Sequence, residues 1–236
     1  MIRPFPRIPH FPGSNAGPDD LVLHEGQAAA YFQVEAIALE KLDGINVAVA
    51  RAPSGALVAD FRGEWDRSSI RRLRRAIGIY LRSHELELES LVGPHDTLYG
   101  EWLYHRLTIP YVSLDDDFVG FALRRGDAFL AFDEATARIE GAGLIAARPI
   151  FRGRLRDMRH LRSLVGTSSS ASARMEGLIV EVDHTHRWAK WVEPGYEKPE
   201  RGKLFGQLNA TRPTGVGREP TGVGRKRGLK TRLETE

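Results

Sequence analysis

Lys41, Asp43 and Gly44 stand together in the stretch Glu40-Lys41-Leu42-Asp43-Gly44-Ile45-Asn46, between the apolar runs Ala36–Leu39 and Val47–Ala50. A lysine at the mouth of a sheet is a nucleophile once its amine loses a proton, and burial or a nearby cation brings that about. On its own the stretch reads as a strand-end lysine before an Asp-Gly turn, with Gly44 letting the backbone come close to a ligand. Two carboxylates occupy apolar surroundings further on. Glu101 lies between Gly100 and Trp102, and Glu176 precedes Gly177-Leu178-Ile179-Val180. An unpaired carboxylate at the start of a buried strand is costly, so Glu176 calls for an ammonium or a divalent cation. Lys190, in Arg187–Val192, and Arg62, before Gly63, are cations suited to phosphate, although taken singly each reads as a surface charge. His184 and His186 have the i, i+2 spacing of a zinc pair but no Cys or acidic cluster beside them, and read as hairpin residues.

The elements that must hold these residues follow from periodicity. The spacing predicts strands over 34–40, 45–51 and 56–61, with Pro53-Ser54-Gly55 turning the last two into a hairpin. Ile70, Leu73, Ile77, Tyr80 and Leu81 recur at helical spacing after a cap at Ser68 or Ser69, and Arg71, Arg72, Arg74, Arg75 and Arg82 fill the solvated face. A second helical piece covers 85–91. Strands are expected at 97–103, 118–123, 128–132, 144–150, 175–182 and 187–192, the last two as an antiparallel pair. Helices are expected at 133–141, capped by Asp133, and at 156–164. Prolines at 4, 6, 9, 12 and 18 make the first twenty residues extended or irregular, with at most a short strand at Leu21–His24.

Composition sets the bounds. With 42% hydrophobic and 28% charged residues in 236, the chain is ordinary for a globular protein with a substantial core. It has no cysteine, which excludes disulfides, thiolate metal sites and a cysteine nucleophile. No apolar run reaches membrane-spanning length, and the Pro-rich start lacks the apolar segment of a secretion signal, so a cytoplasmic protein is expected. The net charge of +3 is uneven: residues 201–236 carry +6 and the first 200 carry −3. Within that tail Pro213–Arg218 recurs as Pro220–Arg225 without apolar periodicity. The chain is therefore read as one α+β domain over 1–200, mostly antiparallel, and a disordered basic tail over 201–236 with weak attraction to phosphate backbones.

Four separated features occur in a set order: Lys41-x-Asp43-Gly44, Tyr99-Gly100-Glu101, Glu176-Gly177-Leu178-Ile179-Val180 and the Lys190 strand. This order resembles the covalent nucleotidyltransferase superfamily of polynucleotide ligases and capping enzymes. Asn46 just after the first motif and the Arg62-Gly63 pair are similar to the ATP-dependent RNA ligases of the second phage type. The resemblance covers about 34–196 and implies an ATP-grasp-like nucleotidyltransferase domain with mostly antiparallel sheets and flanking helices. No second, oligonucleotide-binding-fold domain is recognised after it. Two departures stand out. The last motif normally alternates two lysines, whereas here Lys190 is accompanied by Trp188 or Val192 according to register, and Ala122 replaces an acidic residue common after the stacking aromatic.

The resemblance implies that Lys41 becomes bonded to AMP from ATP, that AMP passes to an RNA 5′-phosphate, and that a 3′-hydroxyl then seals the strand. Lys41, Lys190 and Glu176 are the implied catalytic residues, with Lys190 lowering the Lys41 pKa. Glu40, Asp43, Asn46 and Arg62 join Lys41 and Lys190 in binding the nucleotide. Glu101 accepts a ribose hydroxyl, and Phe121 stacks the adenine, with Phe118 as the alternative in a shifted alignment. Glu176 is the implied ligand of Mg2+ or Mn2+, and RNA ends or nicks are the partners. Two rivals remain: a minimal DNA ligase or guanylyltransferase, and a non-catalytic RNA-binding protein on the same fold.

Overall fold

The computed structural model describes residues 2–182, 185–197, 202–204 and 206–211. Along the chain α1 (Glu25–Ala29) precedes β1 (Glu35–Lys41), β2 (Ile45–Arg51) and β3 (Leu57–Phe61). Then come α2 (Arg67–Ser83), α3 (Glu85–Leu91), β4 (Asp96–Trp102), β5 (Phe118–Arg125) and β6 (Ala128–Phe129). The order ends with α4 (Phe132–Gly141), β7 (Pro149–Arg154), α5 (Met158–Ser163), β8 (Gly177–Val182) and β9 (Arg187–Val192).

These strands form two sheets, ordered β7-β1-β8-β9 and β3-β2-β4-β5-β6, with every pairing antiparallel. The expected α+β, mostly antiparallel architecture is the observed one. Leu42–Gly44 carries the chain from one sheet to the other, so β1 and β2 are consecutive without being neighbours. Both are buried along most of their length, as suits strands paired on both edges.

Alternation divides the two faces of each strand. Ile45, Val47 and Val49 of β2, with Leu98 and Trp102 of β4, pack against Leu73, Ile77 and Tyr80 of α2 and Ile139 of α4. Ala36 and Ala38 of β1, Leu178 and Val180 of β8, and Ala189 and Trp191 of β9 form a second core with Phe11, Tyr31 and Leu161. The opposite faces line the space between the sheets. They contribute Leu39 and Lys41 from β1, Asn46 from β2, Glu101 from β4, Val119 and Phe121 from β5, Ile179 and Glu181 from β8, and Trp188 and Lys190 from β9.

Several boundaries differ from expectation for local reasons. Asp66, not Ser68 or Ser69, caps α2: its carboxylate accepts both serine backbone N–H groups at 2.8 Å. Asp133 lies inside α4, whose cap is Ala131. The expected 128–132 strand shortens to β6, because Phe132 already begins α4. The expected 144–150 strand splits. Residues 145–147 bond to Gly120 of β5, and only from Pro149 does the chain join β1 as β7. Short α1 was not anticipated, and Leu21–His24 makes only one bridge, Val22 to His10.

The Pro-rich start is extended, as expected, yet it is also packed. Lys190 N–H donates to Pro9 O and Phe11 N–H to Lys190 O, both at 2.9 Å, so the segment lies alongside β9 as a strap. Phe5 and Phe11 on it are 4% and 0% exposed. Packing also continues past the expected boundary at residue 200. Leu204 is buried against α2, the Asn209 side chain donates to Leu103 O at 2.6 Å, and Thr211 bridges Leu114. The repeated segment 213–225 lies outside the described residues, as does His184.

Candidate functional site

Lys41 ends β1 opposite Gly177, the first residue of β8. A Cβ on Gly177 would stand 1.9 Å from Trp191 O, so glycine is what lets β8 and β9 meet there and sets Glu176 at the strand mouth. Lys41 Nζ donates to Glu176 Oε2 at 2.6 Å, with the two side chains 23% and 7% exposed. This pairing supplies the ammonium that Glu176 called for. Gly44 lines the cavity and has a second role besides the one expected. It also approaches the chain itself, since a Cβ would stand 2.6–2.8 Å from Leu103, Glu101 and Trp102 O, and its small size seats the turn on β4.

Asp43 is structural. Its Oδ2 accepts the N–H groups of Thr108 (2.7 Å) and Ile109 (2.6 Å), and its own N–H donates to Tyr111 Oη at 2.8 Å. These bonds hold the 104–111 loop beneath the lysine. Asn46 lies opposite Glu101 across β2 and β4, and its side chain hydrogen-bonds the Glu101 carboxylate. Burial also raises the Glu40 pKa, against hydrogen bonds from Ser168 and Ser169.

A cavity of about 380 Å³ opens above Lys41 between the sheets. Of the anticipated residues, Glu40, Lys41, Asn46, Arg62, Glu101, Phe121 and Lys190 line it. Glu176 and Asp43 lie behind Lys41. Phe118 is fully buried beneath Gly100, where a Cβ would meet its ring at 2.2 Å, so of the two phenylalanines Phe121 is the one on the cavity. The partner of Lys190 on this wall is Trp188, while Val192 is buried in the second register. Arg62 donates to Pro6 O at 3.1 Å, and Lys190 Nζ lies 3.9 Å from Asp20 Oδ1.

Three carboxylates, Glu176, Glu101 and Asp43, surround one ammonium. Burial alone would lower the Lys41 pKa, but these charges outweigh it and the net direction is upward. The expected lowering of the Lys41 pKa by Lys190 is therefore not what this arrangement produces. Burial, with repulsion from Glu176 and Asp43, pushes Glu101 up to about 8 against the attraction of Lys41. Among the described residues no group of three or more His, Asp or Glu side chains is arranged to hold a metal ion by itself. The surplus of negative charge nevertheless fits a divalent cation that takes one protein carboxylate and completes its shell with phosphate and water.

Glu101 makes stability depend on pH in a definite direction. Its folded pKa lies above its unfolded value, so the folded state holds the extra proton between the two. Stability contributed by neutral Glu101 is present at low pH and is lost as pH rises toward 8. Glu101→Gln should stabilise the protein by about 3 kcal/mol more at pH 8 than at pH 5. Thermal melts at the two pH values check this, and equal effects at both would contradict it.

Sequence reasoning missed Phe5, Arg7, Asp20, Trp65 and Trp188 as cavity residues. Trp188 was legible, being two residues from Lys190 on an alternating strand. The strap residues carried no periodic signal.

No curated protein sequence matches the chain. Among solved structures, an archaeal ATP-dependent RNA ligase is 21% identical with a TM-score of 0.50, over 81% of this chain and 48% of that one. A mutant of Naegleria gruberi RNA ligase with ATP and Mn is 15% identical with a TM-score of 0.55, over 72% and 53%. A second mutant of it, with AMP and Mn, is 15% identical with a TM-score of 0.53, over 71% and 52%. They share the fold, and the chain spans about half their length. The RNA ligase family model matches residues 34–192, which takes in both sheets and every anticipated site residue. This chain belongs to the RNA ligase family.

Proposed function

We propose that the chain is an ATP-dependent RNA ligase working through a covalent lysyl-AMP at Lys41. The observation that carries the reading is the buried 2.6 Å contact of Lys41 Nζ with Glu176 at the floor of a nucleotide-sized cavity. In the first step the Lys41 amine attacks the α-phosphorus of ATP, forming a P–N bond as the bond to the β-phosphate oxygen breaks and pyrophosphate leaves. Glu176 is placed to take the proton that Lys41 must lose, and burial raises its pKa toward that role. An oxygen of an RNA 5′-phosphate then attacks the same phosphorus. The P–N bond breaks, and Lys41 recovers a proton. Finally a 3′-hydroxyl attacks the RNA 5′-phosphate, forming the phosphodiester and releasing AMP.

Most of this chemistry is positioning and charge neutralisation. Lys190 and Arg62 stand where they would hold phosphates, Phe121 offers a ring for the adenine, and Glu101, steadied by Asn46, accepts a ribose hydroxyl. Glu40, on its serine contacts, shapes the wall beside Lys41, and Asp43 fixes the loop below. With Lys41 bonded to AMP and the proton passed on to solvent, the Glu176 carboxylate would hold Mg2+ or Mn2+, and the ion would supply positive charge for the phosphates. The domain is taken to include the packed residues up to 211, past the expected boundary at 200, with the basic remainder as an RNA-affinity tail, and the work as cytoplasmic. The full chain with ATP and Mg2+ should seal a nicked or single-stranded RNA bearing a 5′-phosphate and a 3′-hydroxyl, seen as a longer product on a denaturing gel. Salt-sensitive RNA binding without any sealing would instead favour a non-catalytic binder, to which Trp188 beside Lys190 lends its only support.

A further inference from the structure

The wall beside Lys190 and Arg62 belongs to the N-terminal strap, and it carries its own charge. Strap residues Phe5, Arg7 and Ile8 line the cavity with Asp20, to which the chain returns. The strap is held along its length. Tyr99 Oη donates to Arg3 O at 3.0 Å, Arg62 to Pro6 O at 3.1 Å, and Pro9 and Phe11 bracket Lys190 as an added strand. Phe5 fills an aromatic box, its ring centroid 5.0 Å from Phe121, 5.1 Å from Trp188 and 5.2 Å from Tyr99. Between these anchors the exposed Arg7 side chain donates to Asp19 O at the cavity rim.

The charges on this side do not suffice for a triphosphate. Apart from Lys41 at the floor, which is paired with Glu176, the lining cations outside the strap are Arg62 just past β3 and Lys190 on β9. Asp20 offsets part of them, with Lys190 Nζ 3.9 Å and His10 Nε2 3.3 Å from its carboxylate. Trp188, on the same face of β9 as Lys190, adds none. Arg7 is close enough to Arg62 that, after burial, its charge contributes to lowering the Arg62 pKa. Two guanidiniums held side by side repel one another, and a polyanion between them turns that repulsion into binding.

We infer that the N-terminal strap is a working wall of the nucleotide site and that Arg7 binds the phosphates of the nucleotide from it, on the cavity that Lys190 also lines and beside Arg62. The inference rests on the nucleotide-site reading above and extends it to a segment outside the family match. Arg7 is exposed, and among the described residues its side-chain hydrogen bond is to Asp19 O at the surface, so its replacement leaves the core intact.

The test is equilibrium binding by calorimetry, using the full chain with α,β-methylene-ATP, whose carbon bridge blocks transfer to Lys41, and adenosine as the phosphate-free probe. Arg7→Ala should weaken the triphosphate analogue by about tenfold and leave adenosine unchanged, with Arg7→Lys recovering most of the loss. Equal affinity for the analogue in Arg7→Ala and the parent overturns the inference, as does an equal loss for both probes. Lysyl-AMP formation by the parent chain distinguishes the two claims. If the adduct forms from ATP but Arg7→Ala binds the analogue normally, only the role of Arg7 fails. A parent chain that binds neither probe overturns both.

Discussion

Lys41→Ala should lower formation of the covalent nucleotide adduct, and with it strand sealing, by more than about a thousandfold. No other amine among the described residues stands at the floor of the cavity against a buried carboxylate. Lys190, the other lysine on the cavity, lies against Asp20. The substitution has a second effect that identifies its cause. It leaves Glu176 buried without its ammonium, so the variant should lose about 2 kcal/mol at pH 8 and approach the parent as acid protonates the carboxyl. Lys41→Arg separates the two roles. The guanidinium keeps the positive charge beside Glu176 and should preserve most of the stability, yet it cannot shed a proton to become a nucleophile. Stability retained with activity lost in Lys41→Arg is the expected pattern. Adduct formation by either variant, read from label on the denatured chain, would place the nucleophile elsewhere.

Gly177→Ala should be the most damaging single methyl group in the molecule. The added carbon would stand 1.9 Å from Trp191 O and 2.9 Å from Val192 Cα, both backbone atoms of the adjacent strand. Neither can swing aside as the end of a long side chain can, so β8 and β9 must separate. The expected loss exceeds about 3 kcal/mol, at the upper end of what one substitution does. Because Glu176 is the preceding residue and Lys190 lies on the displaced strand, the site should fail even where the fold survives. Urea denaturation checks the first part, and adduct formation by the folded fraction checks the second. A small change in midpoint would mean that the β8–β9 start is looser than its geometry.

The chemistry-bearing residues were legible through the order of their motifs and its resemblance to the nucleotidyltransferases, since each taken singly reads as an ordinary strand or surface residue. Glu101, Phe121 and Lys190 share inward faces with Asn46 and Lys41, and period-two patterning delivers them to one cavity. The helix over Arg67–Ser83 was legible from its helical period, while its cap was misplaced because Asp66 does what either following serine could have done. Two things were hidden. The turn after Lys41 gives no local sign that it changes sheets, since pairing is decided by strands distant in sequence. The prolines of the first twelve residues conceal the strap, because proline rules out regular structure without ruling out packing. Phe5 and Phe11 are as buried as any core residue, and no periodicity announces them. The same blindness hid Arg7 and Asp20.

The account stands on Lys41 as the site of nucleotide attachment. The most direct measurement is to incubate the full chain with Mg2+ and ATP labelled at the α-phosphate, beside GTP and NAD, then denature it and locate the adduct by peptide mass spectrometry. The expected result is AMP on Lys41 from ATP alone, acid-labile as a phosphoramidate is, and absent when the label is on the γ-phosphate. Attachment to another residue, label from GTP in place of ATP, or no adduct from protein verified to be free of AMP at the outset would contradict it.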